Sequence, residues 1–295
     1  MRQLGQNRPM LQGPERIVFA TARVTVGEWR CKRNDPLFRD SGPIQRHVVA
    51  FPRTSVEIRH EGREGFVADA GVATLYNPGQ RYTRAAVHPA GDCCDWWAVD
   101  RSTAAEIASS VDTRVSPHDE NPLRHARAPV HSALYLRQRA LLLDLREGTL
   151  DPMAAEEAVF SVVRDAAAAA AREAGMSGHT QASPATRDLA EAASRELAAS
   201  WHERLTLDVL SVRLGASPFH LCHSYRAATG RTLHRQLTLL RLRASLEAVA
   251  ERSCDLTQVA LDHGFSSHSH FTSAFRREWG VTPSAWRAHL HVRRS

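Results

Sequence analysis

Lysine is nearly absent from this sequence of 295 residues, in which Lys32 is the only one. The bias fits a GC-rich genome better than a chemical requirement, and so does the run of alanines from 166 to 171. The five cysteines are odd in number and lack C-x-x-C spacing, which favours a reduced cytoplasm as their setting. No apolar stretch approaches the ~20 residues that span a bilayer and no signal peptide is visible, so we expect no membrane partner.

The positive charge is concentrated in the last third of the chain. Residues 187–294 carry 15 arginines and 10 acidic residues, so most of the formal net charge of +6 lies there. Counterion release at phosphates would favour this excess, although arginines also decorate solvated helix faces. The length is sufficient for two domains, each with its own core.

Residues 255–280 have the spacing of a helix–turn–helix unit. Asp255 stands at an N-cap position, and Gln258 follows at the spacing of a capping box. Gly264 ends the first helix in the left-handed conformation that glycine adopts cheaply, and Ser266 or Ser267 can cap the second. The buried positions of the second helix follow at helical spacing: Phe271, Ala274 and Phe275.

The exposed residues of that second helix suit contacts to DNA. In a helix–turn–helix unit the second helix enters the major groove, and its N-terminal residues meet base edges. Small polar residues and histidines can hydrogen-bond there without filling the groove, whereas arginines at the helix end suit phosphates. The predicted contacts of this unit are His268, Ser269, His270, Ser273, Arg276 and Arg277, with Thr272 also exposed.

Residues 205–230 show the same pattern more weakly. Thr206 can cap a helix that ends before Gly215, and Ser217 precedes a proline at the first position of the next helix, where its missing N–H costs nothing. Leu221 and Tyr225 are four residues apart and point inward. The residues left for DNA are Phe219, Cys222, His223 and Arg226. Between the units, residues 233–251 form a helix of about 25 Å, which can hold two recognition helices about one turn of B-DNA apart.

The segment from about 185 to 290 resembles the DNA-binding domain of AraC/XylS family transcriptional regulators. The matching residues are Ser217-Pro218-x-x-Leu221, Gly230, Arg241-Leu242, Ala260, Gly264-Phe265, His270-Phe271, Phe275-Arg276, Gly280 and Pro283-x-x-Trp286-Arg287. The resemblance implies base contacts from Phe219, Cys222 and His223 in the first unit, and from the histidines and serines named above in the second. Two positions depart from the family pattern: His223 stands where arginine is frequent, which weakens base reading by the first unit, and Ser245 replaces a usual alanine.

The front of the chain, from residue 15 to about 100, consists of short predicted strands separated by Gly, Pro, Asn and Asp. They are Ile17–Ala20, Val24–Trp29, Val48–Phe51, Ser55–His60, Gly65–Asp69 and Val72–Tyr76. Many short strands without intervening helices predict a sandwich or small barrel. This part resembles, less specifically, the cupin-like effector domain that precedes many AraC-type DNA-binding domains. The residues behind that comparison are Asp69, Tyr76-Asn-Pro-Gly79, Tyr82, His88-Pro89 and Gly91-Asp92.

After Ser102 the pattern becomes helical, with predicted helices from Val130 to Arg146 and from Asp151 to about Glu173. In the family the equivalent helices often carry dimer contacts, so we expect a homodimer; packing on the barrel alone is the alternative. Residues 176–184 are the best linker. The predicted fold is α+β, with a cupin-like β-sandwich or barrel and helical dimerisation segment at 1–178, and an all-α double helix–turn–helix domain at 183–295.

The front domain lacks the ligands of a metal-dependent cupin enzyme, which presents an H-x-H pair, a following Glu and a later His. No H-x-H precedes residue 130. We therefore predict no enzymatic activity, no catalytic residue, no metal and no cofactor, and expect a mostly apolar pocket for an unknown small-molecule effector. Candidate lining residues are Trp29, Trp96, Trp97, Tyr76 and Tyr82, although aromatics in a small barrel are more often core.

Two other patterns admit a sensing or metal interpretation. The vicinal pair Cys93-Cys94 could sense a metal or an oxidant, but such a pair is usually two small residues on opposite strand faces. His263, His268 and His270 suggest a zinc site, but His268 and His270 lie about 200° apart around a helix and cannot chelate one ion without distortion.

Together these features predict a cytoplasmic, sequence-specific DNA-binding transcription regulator. We expect an effector-responsive activator that reads two successive major-groove segments of double-stranded promoter DNA and, as an activator, contacts RNA polymerase. The alternative is an enzyme or sensor whose helical tail is only an interaction module.

Overall fold

The computed structural model of the chain describes residues 14–38, 40–176, 183–251 and 253–292. The strands among them, numbered in chain order, are β1 Glu15–Ala20, β2 Val24–Cys31, β3 Asp40–Ser41, β4 His47–Pro52, β5 Val56–His60, β6 Phe66–Ala68, β7 Val72–Tyr76, β8 Tyr82–Ala86, β9 Asp92–Val99 and β10 Arg127–Pro129. The helices are α1 Arg101–Val111, α2 Ser132–Glu147, α3 Pro152–Met176, α4 Pro184–Ser200, α5 Leu207–Leu214, α6 Pro218–Thr229, α7 Leu233–Ala250, α8 Leu256–Asp262, α9 His268–Trp279 and α10 Pro283–Val292. No described helix is both long and apolar enough to cross a membrane.

The strands pair antiparallel in two sheets that enclose a common interior. One sheet has the order β1-β2-β9-β4-β7-β10, and the other has the order β3-β8-β5-β6. Alternation along β5 buries Val56 and Ile58 and leaves Glu57 and Arg59 more exposed, as expected for a strand with one buried face. The predicted β-sandwich is thus confirmed, and the ends of its six predicted strands shift by at most two residues.

Four strands are missing from the sequence prediction, namely β3, β8, β9 and β10. The omission of β9 matters most, because this strand lies between β2 and β4 in the larger sheet. Its Asp92 and Asp95 have the character of turn residues, yet both are buried and paired with arginines. Asp92 accepts a hydrogen bond from Arg84, and Asp95 Oδ2 lies 2.5 Å from Arg139 Nη1. Because these aspartates resemble turn residues, the sequence pattern did not predict β9, a central strand of the larger sheet.

Helices α1, α2 and α3 cover the face of the larger sheet that lies away from the smaller one. Their apolar side chains join a cluster with buried residues of β2, β4, β7 and β9, among them Val26 and Trp97. On α3, Val159, Val162 and Ala166 are fully enclosed. The predicted helices are confirmed and pack on the sandwich through one face, whereas their role in dimer formation stays a prediction.

The helical part contains the two predicted helix–turn–helix units, α5–α6 and α8–α9, joined by α7. The first unit has its own core, in which Leu221 and Tyr225 of α6 pack on Leu237 and Leu240 of α7 and on residues of α4. Residues 177–182 of the predicted linker lie outside the described residues, as do 1–13 and 293–295 of the two predicted domains.

The second unit, by contrast, shares its apolar core with the front domain. Phe271 and Phe275 of α9 belong to the same cluster as Leu134 and Tyr135 of α2. At the end of α9, Trp279 Nε1 donates to the carbonyl oxygen of Ser132 at 3.1 Å. The apolar part of the contact between the two predicted domains is therefore made by the second unit.

A buried arginine on α7 adds polar contacts to this interface. Arg243 is 4% exposed; its guanidinium donates to the carbonyl oxygen of Val130 at 2.7 Å and also to that of Ala70. The same group lies 4.8 Å from the centre of the Tyr135 ring. A buried cation is costly unless its donors are satisfied; here Nη1 and Nη2 donate to carbonyl groups of the front domain, whereas Nε is buried without an acceptor among the described residues.

Replacing this arginine tests how strongly the two parts are held together. In Arg243→Met the side chain stays long and apolar, but two buried carbonyl groups lose a donor. We expect the free energy of unfolding in urea to fall by about 3 kcal/mol. The matched control is Arg137→Met, because Arg137 is half exposed and pairs with Asp165 on the surface; its loss should stay below about 1 kcal/mol. Equal losses in the two variants would contradict a special role for Arg243.

Candidate functional site

The first helix–turn–helix unit is shaped by local hydrogen bonds at its helix ends. Thr206 Oγ1 accepts from the backbone N–H of Val209 at 3.2 Å, and Ser217 Oγ accepts from that of His220 at 3.3 Å, so both predicted N-caps are confirmed. Gly215 has a φ of +61°, the left-handed conformation that lets the chain turn between the helices. Leu221 and Tyr225 are buried, as expected.

The opposite face of α6 is exposed and carries the four predicted contact residues. Phe219 is 82% exposed, which is unusual for a large apolar side chain and indicates a surface that meets a partner. Its ring stacks on that of His223 with centroids 6.1 Å apart. Cys222 and Arg226 are exposed on the same helix. Val212 of α5 is also 82% exposed, although it was not among the predicted contact residues.

The second unit has the same construction with a stronger connection to the rest of the chain. Asp255 caps α8 by accepting from the N–H of Thr257, and Ser267 caps α9 by accepting from the N–H of His270 at 3.1 Å. Phe271, Ala274 and Phe275 are buried as predicted.

Two details of the second unit differ from expectation. The expected capping box does not form, because Gln258 Nε2 donates to Asp262 Oδ1 at 2.6 Å, one helical turn further along α8. Thr272 is half-buried instead of exposed, and its hydroxyl lies 3.4 Å from His268 Nε2.

The six predicted contact residues of α9 are all exposed: His268, Ser269, His270, Ser273, Arg276 and Arg277. His270 is held in place, because its Nδ1 lies 3.1 Å from Ser266 Oγ and its ring meets the edge of Phe265. The first turns of α6 and α9 contain no acidic residue, whereas their last turns contain arginine. Both helices therefore present a surface suited to a polyanion.

Arg241 of α7 connects the second unit to the segment before the first. Its Nη1 donates to the carbonyl oxygen of Gly264 at 2.9 Å, and its Nε donates to that of Trp201 at 2.8 Å. A Cβ on Gly264 would lie 2.7 Å from Arg241 Cζ, so glycine at this turn is required by the contact as well as by its φ of +77°. Arg241 matches the family pattern in the sequence, but its contacts with Gly264 and Trp201 were not predicted.

A second candidate site is a cavity of about 710 Å³ between the two sheets. Four of the five aromatic residues predicted to line a pocket do so, namely Trp29, Trp96, Tyr76 and Tyr82. The prediction is wrong for Trp97, because strand alternation turns it to the opposite face of the sheet, where it is fully buried in the helix-side core. Gly27 leaves room for the Trp96 ring, since a Cβ there would lie 2.5 Å from Trp96 Cζ2.

Burial dominates the electrostatics of this cavity. It raises the pKa of Tyr82 to about 12 and raises the pKa of Asp92 against the opposing effect of Arg84. Burial also raises the pKa of the Cys93 thiol, and that of Cys94 well above its ordinary value. Raised thiol pKa values oppose the thiolate chemistry that a redox or metal sensor needs. Within the described ranges, no three His, Cys, Asp or Glu side chains lie close enough to hold a metal ion.

Comparison with known proteins gives a family match in the helical part and a structural alignment over most of the chain. Residues 210–289 match the family described as a helix-turn-helix domain. The regulatory protein SoxS of Salmonella typhimurium is 30% identical over 86 residues, which are 29% of this chain and 80% of SoxS. The HTH-type transcriptional activator RhaR of Cronobacter sakazakii is 33% identical over 99 residues, but this chain covers only 35% of its length. The crystal structure of ToxT from Vibrio cholerae aligns with 92% of this chain and 99% of ToxT, at 12% identity and a TM-score of 0.35.

The N-cap of α9 offers a test of the site's local construction. In Ser267→Ala the backbone N–H of His270 loses its acceptor, and we expect the free energy of unfolding to fall by about 1 kcal/mol. Ser266→Ala is the matched control, because the neighbouring hydroxyl contacts only the exposed His270 ring, and its loss should stay within about 0.5 kcal/mol. Urea denaturation of both variants measures the difference. The same loss in both would mean that Ser267 is not the effective cap.

Proposed function

Because the chain belongs to the AraC/XylS family of DNA-binding transcription regulators, we propose that it reads two successive major-groove segments of promoter DNA. The observation that carries this proposal is that both recognition helices pack on one connecting helix, α7. With 18 residues, α7 is about 27 Å long. That length is close to the roughly 34 Å that separates equivalent groove positions on one side of B-DNA.

In the second unit we assign base contacts to the first turns of α9. His268, Ser269, His270 and Ser273 are short or planar polar side chains that reach base edges without filling the groove. Arg276 and Arg277 lie in the last turn, where we assign them to phosphates, which set the register of the helix but not its sequence preference. His270 suits direct readout best, because its contacts with Ser266 and Phe265 fix its ring before DNA binds.

In the first unit the exposed face is more apolar. Phe219 and Cys222 suit contact with thymine methyl groups, while the stacked ring of His223 offers a hydrogen bond to a base or phosphate. Arg226 is at the end of the helix and suits a phosphate. We therefore propose that this unit discriminates bases less sharply than the second.

The front domain, in our proposal, is a cupin-like effector domain whose cavity takes a small molecule. Its aromatic walls and volume are those of a ligand site. We further propose that the protein acts as a homodimer through α2 and α3, which flank the sandwich, and as an activator that contacts RNA polymerase. The five free thiols suit the cytoplasmic setting that we propose.

In-vitro selection of DNA sites by the full chain tests the proposed function. We expect a site with two short conserved blocks about 10 base pairs apart, one for each recognition helix. A single block would reduce the first unit to a backbone clamp. Absence of any enrichment would overturn the DNA-reading proposal and leave the helical domain as an interaction module.

Substitutions on α9 separate base reading from phosphate binding. Ser269→Arg and His268→Ala should change the preferred bases in one block, with discrimination altered by about 1–3 kcal/mol. Arg276→Ala should weaken binding to all sequences and reduce the salt slope by about one. Binding titrations at several salt concentrations measure both effects.

The matched control is Arg101→Ala, which removes an exposed arginine from α1 on the front domain and should leave affinity and salt slope unchanged. Equal, sequence-independent losses in the three α9 variants would count against specific readout by this helix.

A further inference from the structure

A stack of three aromatic rings joins the sandwich to the helical part, away from the apolar contact of the second unit. The indole of Trp201, which follows α4, lies between the imidazole rings of His88, in the β8–β9 turn, and His263, just after α8. The ring centroids are 5.9 Å apart on both sides, with interplanar angles of 12° and 9°. His202 packs edge-on against both His88 and Trp201, at 5.8 and 5.7 Å. One indole thus holds a histidine of the sandwich on one face and a histidine of the second unit on the other.

The two faces of the indole are anchored differently. On the His263 side, Arg241 of α7 donates to the carbonyl oxygen of Trp201 at 2.8 Å and to that of Gly264, the residue after His263, at 2.9 Å. This stack is therefore fixed within the helical part. The His88 ring belongs to the sandwich, and its contact with the indole is made by ring packing across the interface.

His88 is held in this contact as a neutral imidazole. Its Nδ1 accepts a hydrogen bond from the backbone N–H of Ala90 at 3.2 Å, so this nitrogen carries no proton. Protonation would set a donor against that N–H and a cation against the imidazole of His202. Burial and, after it, His202 lower the pKa of His88 from its ordinary value of 6.5.

Charged groups on the neighbouring elements do not offset this cost. Among the described residues, His202 is the one titratable group whose charge changes the pKa of this ring. Glu203, after α4, is paired with Arg213 at 3.0 Å, and Asp92, at the start of β9, is paired with Arg84. The guanidinium of α7 that bonds the backbone beside the indole is itself a cation. A protonated ring therefore gains no carboxylate partner from these elements.

Protonation has a different effect on the other face of the indole. His263 Nδ1 donates to the carbonyl oxygen of Val259 at 2.8 Å, so this nitrogen already carries a proton and keeps its bond when the ring becomes cationic. A cation over an indole face is attracted to it. Acid therefore leaves the stack of His263 on Trp201 intact.

We infer that acid releases His88 from Trp201 while His263 stays stacked, so that the segment leading into the first helix–turn–helix unit detaches from the sandwich. The second unit stays docked through the apolar core that it shares with α2 and through the carbonyl contacts of Arg243. This pH-sensitive contact goes beyond the proposed function, because it requires neither DNA nor an effector.

The direction of the pH dependence follows from linkage. A histidine whose pKa is lower in the docked state than after release binds protons more readily once it is released. The contribution of His88 to docking is therefore fully present above pH 6.5 and is lost as the pH falls through the pKa of the docked ring.

Nuclear Overhauser contacts between labelled histidine and tryptophan rings test the inference on the full chain. At about pH 8 the Trp201 ring should show contacts to both His88 and His263, since the two stacks have equal centroid distances. At about pH 5 we expect the contact to His88 to be lost and the contact to His263 to remain. The stack on His263 is thus an internal control in the same molecule.

Three variants identify the group that is titrated. In His88→Phe the ring can still stack but cannot be protonated, so its contact with Trp201 should persist at about pH 5. His202→Gln removes the facing imidazole, which should raise the pKa of His88 and preserve more of its contact in acid. The matched control is His220→Gln, because His220 is exposed on α6 and its loss should leave the response of the unaltered protein unchanged.

The wild-type titration alone can overturn the inference. A contact between His88 and Trp201 that persists at about pH 5 would do so, and so would simultaneous loss of the contact to His263, which would mean that the indole itself is displaced. Loss of the contact in His88→Phe on acidification would assign the release to another group and also overturn it. Because none of these measurements uses DNA, each result can occur whether or not the two-block DNA site is found.

Discussion

The hydrogen bonds of Arg243 hold the two helix–turn–helix units against the sandwich. Arg243 lies on α7, the one helix on which both helix–turn–helix units pack. Its guanidinium is buried and donates to carbonyl groups on two separate segments of the front domain, at Ala70 and Val130. Arginine suits this position because its planar fork reaches two acceptors while its face lies on the ring of Tyr135. Once α7 is placed, the positions of α6 and α9 follow from side-chain packing.

The two units nevertheless depend on the sandwich to different degrees. The first has a closed core of its own with α4 and α7, so its apolar packing does not require the front domain. The second continues the apolar core of the front domain, and Trp279 at the end of α9 is hydrogen-bonded to the start of α2. The apolar contact of the front domain is therefore with the second unit, whereas the segment before the first unit meets it through Arg195 with Glu57 and Trp201 with His88. Arg241 links the second unit to the segment before the first, since its guanidinium donates to the carbonyl oxygens of both Gly264 and Trp201.

Sequence reasoning succeeded where the determinants are local. The caps at Thr206, Ser217 and Ser267 and the turn at Gly264 depend on neighbours within a few residues; three of them were predicted outright, and Ser267 was one of two candidates for its cap. The failures concern charged residues whose partners are distant in the chain. Arg243 bonds a residue 113 positions away, and periodicity alone assigns such an arginine to a solvated helix face. β9 was missed for the same reason, because its aspartates are neutralised by arginines that local sequence does not reveal. The contact residues on α6 and α9 were found to be exposed, but exposure alone does not test whether they bind DNA.

The cavity and the domain interface are connected by one short piece of chain. β7 supplies Thr74 and Tyr76 to the cavity lining, and the turn just before it supplies the carbonyl of Ala70 to Arg243. In the same turn Asp69 accepts from Gln236 of α7 at 3.1 Å. A ligand can shift an equilibrium only if it contacts two states differently. In the proposed function, a ligand that moves β7 would alter the acceptors of α7 within a few residues, so coupling between the proposed effector and DNA would need no long chain of intermediate contacts.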